Sequence, residues 1–153
     1  MATGDIRIDS LLALPRNSLA SPLLLGKAVQ FTYSFSGYSA AQASAITAML
    51  AEVSTLIGVS FRQVDQGGLL TYGFQSDGPT LADGSPNSGS MEIKADGTGA
   101  MVWLNPTMPA MQNLASGYGR QVAIHETAHA LGLKHPGQYS WRLQELSATR
   151  SLN

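Results

Sequence analysis

One run of eleven residues, His125-Glu126-Thr127-Ala128-His129-Ala130-Leu131-Gly132-Leu133-Lys134-His135, limits what this chain can fold into more than any other, and it holds all three histidines of the sequence. A helix turns about 100° per residue, so His125 and His129 leave one face, a turn apart. Imidazoles so placed can both reach one zinc ion at about 2.0–2.1 Å. Glu126 follows the first of them, close enough to act on a water held by the metal rather than on the metal itself. Gly132 is expected to stop the helix, because glycine enters the left-handed region without a Cβ penalty. The chain then turns and brings in His135 as a third ligand from outside the helix. Three neutral nitrogens with a fourth position open describe a catalytic zinc site better than a structural one, which would be closed.

The plain alternative is an amphipathic helix with incidental surface histidines. The short pattern H-E-x-x-H arises by chance roughly once in a few hundred chains of this size. Adding the glycine and the third histidine lowers that to about one in a hundred thousand. The metal reading is therefore preferred.

The rest of the chain reads as one domain with mixed elements. Residues 1–28 form an irregular leader, interrupted by Pro15 and Pro22. Val29, Phe31, Tyr33 and Phe35 alternate with polar residues, the period of a half-buried strand. Ser39 then reads as an N-cap with Gln42 completing a capping box. Ile46, Met49, Leu50, Val53 and Ile57 make an apolar stripe along that helix, and Gly58 ends it. Val59 to Val64 and Leu69 to Phe74 read as strands joined around Gly67-Gly68. Residues 77–99 are rich in turn formers, with Asp-Gly pairs at Asp77, Asp83 and Asp96 and room for a short strand around Met91 to Lys94. Calcium is left open as a second ion at those aspartates, without a repeat motif to support it. Met101 to Leu104 is a further strand. Ser116 is the expected N-cap of the zinc helix, in which Val122 and Ala130 pack inward while the histidines face a cleft.

Composition removes several classes of function. With 44% hydrophobic residues, 12% charged residues and a net charge of −1, the chain is a folded globule without the basic stripe that holds a phosphate backbone, so nucleic acid is not an expected partner. No cysteine is present, which rules out disulfides and a cysteine switch. Leu23 to Val29 is apolar but too short to span a membrane. The N-terminus lacks the basic and apolar regions of a Sec signal, and no G-G-x-G-x-D run or C-terminal export signal is seen.

The motif His125-Glu126-x-x-His129-x-x-Gly132-x-x-His135 resembles the zinc signature of the metzincin metalloproteases. His135-Pro136-Gly137, and Gly117-Tyr118-Gly119 leading to Ile124, are similar to the serralysin branch of secreted bacterial proteases, and Pro136-Gly137 favours that branch over the matrixins. Ile8 to Leu12, Phe31 to Phe35 and Val102-Trp103-Leu104-Asn105 look like further segments of serralysin catalytic domains. The likeness runs to about Tyr139, and only the zinc motif in it is highly specific. Ala128 stands where the family usually has glycine, a harmless change in a helix.

The resemblance implies an α+β, metzincin-like catalytic domain: a twisted, mostly parallel sheet of about four to five strands, a long packing helix and an active-site helix. It implies His125, His129 and His135 as ligands of Zn2+ and Glu126 as general base, hydrolysing peptide bonds through a zinc-activated water. It also implies a protein or peptide substrate bound along a sheet edge near Met101–Asn105 or its neighbours, a proteinaceous inhibitor as a further partner, and a secreted location. No methionine follows His135, so the Met-turn of the family and its tyrosine have no counterpart, and Tyr139 reads as a loop residue. Residues 140–153, with helical spacing in Trp141 to Leu146, form a divergent tail. On that reading, residues 1–153 are a single incomplete catalytic domain whose C-terminal subdomain is largely missing. The alternative is a truncated zinc-binding pseudo-protease that binds a peptide or partner without efficient turnover. A structural or adhesion module with incidental histidines is a third class.

Overall fold

The computed structural model describes residues 29–76, 85–95, 98–133 and 135. The expected leader (1–28), the aspartates at 77, 83 and 96, Tyr139 and the tail (140–153) lie outside the described residues.

The first strand, β1 (Val29–Phe35), bears out the two-residue period: Phe31 and Tyr33 are buried while Gln30 is exposed. Helix α1 (Ala40–Ile57) starts at the predicted capping box. The Gln42 N–H donates to Ser39 Oγ (3.3 Å), and the Ser39 N–H donates to Gln42 Oε1 (3.0 Å). Gly58 ends the helix in the left-handed conformation (φ 66°), its N–H donating to the Ser54 carbonyl. The apolar stripe is shorter than the sequence suggests. Ile46, Met49 and Leu50 are buried, but Ile57 is 52% exposed and its neighbour Leu56 82%. Periodicity identifies a helix face, not how far the surface beneath it extends, and the last turn of α1 lies beyond the core. By length and mean hydropathy (18 residues, 1.3) α1 resembles a membrane span. Here one side of it packs in the core of the domain instead.

Strands β2 (Val59–Gln63), β3 (Leu70–Phe74), β4 (Gly89–Ile93) and β5 (Ala100–Leu104) complete one five-stranded sheet, in the order β2-β1-β3-β5-β4. β1 pairs in parallel with both β2 and β3, and β3 pairs in parallel with β5. Only β4 is antiparallel, with Gly89 opposite Leu104 and Met91 opposite Val102. The sheet is thus mostly parallel and the class α+β, as expected. The strands on either side of Gly67-Gly68 do not lie side by side; they flank β1. α1 is the crossover between parallel β1 and β2, a connection that needs a helix's length of chain.

A short 3-10 turn (Pro109–Gln112) leads to the last helix, α2 (Gly117–Ala130). The core lies between one face of the sheet and the two helices. It joins Ile46, Met49 and Leu50 of α1 to Tyr72, Val102 and Leu104 of the sheet and to Val122, Ala123 and Ala130 of α2. Gln42, buried at the start of α1, donates through Nε2 to the Met111 carbonyl (3.1 Å) and ties the 3-10 turn to this helix.

Candidate metal centre

Helix α2 and the turn that ends it carry His125, Glu126 and His129. Ser116 occupies the N-cap position, yet its hydroxyl makes no capping bond. It accepts instead from Asn113 Nδ2 (3.1 Å), while Asn113 Oδ1 takes the Ala115 N–H (3.1 Å). The inward face of α2 carries Val122, Ala123, Thr127 and Ala130, all buried. Thr127 Oγ1 donates to the Ala123 carbonyl (2.7 Å), so its single proton is taken and the fully buried Tyr72 hydroxyl donates to it (2.9 Å). Burial also pushes the Tyr72 phenol well above the usual tyrosine range, which keeps it a neutral donor. This two-bond chain fixes the rotation of α2 against β3 and turns His125 and His129 away from the core.

The helix stops as predicted, one residue before the expected glycine. Leu131 is the C-cap and Gly132 follows with φ 105°. The Gly132 N–H donates to the His129 carbonyl and the Leu133 N–H to the Ala128 carbonyl, both at 2.9 Å. That pair of bonds is the Schellman arrangement. The turn also serves the motif: His129 Nδ1 lies 2.7 Å from the Leu133 carbonyl oxygen. A carbonyl only accepts, so the proton sits on Nδ1 and the Nε2 lone pair of the neutral ring is left free.

Beyond the turn, His135 returns to the helix. Its Nε2 lies 2.8 Å from His125 Nε2 and 3.1 Å from His129 Nε2, and the third edge, between His125 and His129, is 3.0 Å. The structure therefore brings together all three histidines named from the sequence. Desolvation, and then the two neighbouring rings, hold His125 below the usual histidine range, favouring the neutral form that ligates metals. Three lone pairs so close repel one another unless a positive centre lies among them. A regular tetrahedron with bonds of about 2.0–2.1 Å has edges of about 3.3–3.4 Å, about 0.2–0.6 Å longer than those observed. The donor set fits a divalent cation that accepts nitrogen.

Glu126 is only 8% exposed and lines the same cleft as the three histidines. Burial raises its carboxyl above the usual range, and the nearby His129 partly offsets that. The cleft measures about 750 Å3 and runs between α2 and β4, with Ser88, Gly89, Ser90 and Met91 along one wall and Tyr118, Gln121 and Val122 along the other. The Tyr118 hydroxyl donates to Ser88 Oγ (3.1 Å) across one end.

The sheet edge beside the site narrows the expectation of Met101–Asn105 or its neighbours to a neighbour. β5, the Met101–Asn105 strand, is interior, paired on both sides, and its neighbour β4 is the edge. β4 matches the short strand allowed for around Met91 to Lys94, but it starts earlier, at Gly89-Ser90, where glycine and serine carry little strand signal. Tyr72, the Leu133 carbonyl and Gly89 also escape a sequence reading.

Three convergent imidazoles that could hold a metal ion, with a buried carboxylate beside them, face an open cleft. No family model matches the chain. Over 108 residues it is 31% identical to the metallopeptidase AprA of Pseudomonas marginalis, a match that takes in 69% of this chain and 23% of that protein. The chain thus spans less than a quarter of that relative's length. Two solved structures of myroilysin are also similar. One has a TM-score of 0.49 at 16% identity, covering 80% of this chain and 59% of the other. The second has a TM-score of 0.44 at 14% identity, covering 88% and 59%.

Proposed function

We propose that this chain carries the active centre of a zinc-dependent endopeptidase of the serralysin type, with His125, His129 and His135 holding the metal and Glu126 as general base. The observation that carries the reading is the triangle of three Nε2 atoms with edges of 2.8–3.1 Å. The 31% identity to a metallopeptidase supports it. Zinc is the metal of choice for three neutral imidazoles with room for a fourth ligand, and when bound it supplies Lewis acidity towards water and a scissile carbonyl.

The chain's own residues supply the rest. The Leu133 carbonyl holds His129 in the tautomer that presents Nε2. Glu126, buried and raised, is suited to take a proton from water in the cleft and return it to the departing amine. β4, the edge strand among the described residues, runs along the cleft wall, where a protein or peptide substrate would lie extended. An extracellular setting belongs to the same proposal.

The test is zinc content of the purified chain together with cleavage of a quenched generic peptide, with and without chelator. Stoichiometric zinc and chelator-sensitive cleavage, lost in Glu126→Gln with zinc retained, are the expected results. Zinc without cleavage would favour the binding-only alternative, and a chain that takes up no zinc would end both readings.

A further inference from the structure

Gly89 opens β4 opposite Leu104 and is buried under α2. Its φ is not positive, so the backbone conformation there does not call for glycine. Space does. A Cβ on this residue would stand 2.7 Å from Val122 Cγ1, 3.0 Å from the Trp103 carbonyl oxygen and 3.1 Å from Glu126 Cγ. None of these is the loose end of a flexible side chain. Val122 is β-branched and buried, the carbonyl belongs to the adjacent strand, and Glu126 Cγ lies midway along a buried side chain. A glycine within a strand weakens it, and here the gap left by the missing Cβ is filled by α2.

We infer that Gly89 is a positioning residue for Glu126: the missing Cβ makes a seat on the sheet edge for the Glu126 methylenes, and so sets where the carboxylate stands relative to the three histidines. The inference rests on the zinc hydrolase reading, because it gives Glu126 a task that depends on placement. The histidines do not share the seat. His129 is oriented by the Leu133 carbonyl, and none of the three is among the atoms that a Cβ at residue 89 meets first. Crowding residue 89 therefore moves the general base and spares the metal ligands.

The experiment uses the full chain with Gly89→Ala, made alone and on a Val122→Ala background. In the double variant the nearest obstacle, Val122 Cγ1, is gone; the Trp103 carbonyl oxygen at 3.0 Å is held in the strand pair, so Glu126, at 3.1 Å, is the side chain left to yield. Four quantities are read: zinc per chain, kcat and KM separately on the quenched peptide, and nuclear Overhauser contacts of Gly89 Hα with Glu126 Hγ in the metal-free protein. The contacts are expected in the parent. Zinc per chain stays at the parent level in both Gly89 variants. A contact at 3.1 Å obliges Glu126 to give by a few tenths of an ångström, less than the displacement of about 1 Å that costs about 100-fold, so the double variant loses about 3–10-fold in kcat against Val122→Ala alone, with KM within about twofold. An unchanged kcat in the double variant would overturn the inference and leave Gly89 as a spacer between helix and sheet. So would absence of the Overhauser contacts, which test the seat whether or not the parent takes up zinc. Should the parent hold zinc without turnover, the endopeptidase reading fails and the resonances decide: Glu126 shifts that move in the double variant, with the histidine rings unmoved, support the seat, and unmoved Glu126 shifts overturn it.

Discussion

Thr127→Val tests whether the rotation of α2 is set by one buried pair of hydroxyls. Valine keeps the shape of threonine and removes Oγ1. The Tyr72 hydroxyl, fully buried, then loses its acceptor. The Ala123 carbonyl loses only a second donor, since a helix carbonyl still receives its backbone bond. An orphaned buried hydroxyl costs about 1–3 kcal/mol, so about 2 kcal/mol is expected. Tyr72→Phe leaves Thr127 bonded to Ala123 and costs about 1 kcal/mol, the net value of a neutral hydrogen bond. Removing both hydroxyls at once strands nothing. The double variant should therefore cost about 1 kcal/mol, well below the sum of about 3 kcal/mol for the separate changes. Urea unfolding in the presence of chelator, which removes any contribution from metal, gives all three values. With a slope of about 2 kcal/mol/M, Thr127→Val moves the midpoint down by about 1 M. If the two single effects simply add, or if Thr127→Val is no worse than Tyr72→Phe, the pair does not act as described.

Gln42→Ala removes half of a capping box and the donor to the Met111 carbonyl, and should cost about 1–3 kcal/mol in the same unfolding assay. Glu52 and Arg120 join α1 to α2 by a 2.6 Å ion pair whose glutamate side chain is 65% exposed; a double-mutant cycle should return less than about 1 kcal/mol, falling further with added salt. Zinc at about one hundred times its dissociation constant should stabilise the parent by about 2.7 kcal/mol, whereas His135→Ala, altering an exposed residue outside the core, should abolish that gain and leave the metal-free midpoint nearly unchanged.

What the sequence disclosed and what it hid divide by distance along the chain. The capping box at Ser39 and Gln42, the stop at Gly58 and the turn at Gly132 each depend on groups a few residues apart, so local rules sufficed. The three histidines were legible for the same reason: helical geometry and one glycine turn bring residues 125, 129 and 135 together. Strand order was not legible, because nothing near Gly67-Gly68 says that β1 will lie between the strands it connects. The bond between Tyr72 and Thr127 spans 55 positions, and Gly89 meets Val122 and Glu126 from far along the chain as well. Such contacts exist only once the sheet and helix are docked. The Ile57 expectation failed for a related reason, since a helix face is written locally and the extent of its partner surface is not.

The turn at Leu133 has a kinetic consequence. Its N–H closes the end of α2 and its carbonyl holds the His129 ring, while the chain leaving it carries His135. One local opening therefore releases the ring of the second histidine and the tether of the third in the same event. Such openings near a helix end need far less free energy than unfolding of the domain. The lifetime of a bound ion would then follow the fraying rate of four residues rather than the stability of the whole protein, and hydrogen exchange at the Leu133 amide would serve as its clock.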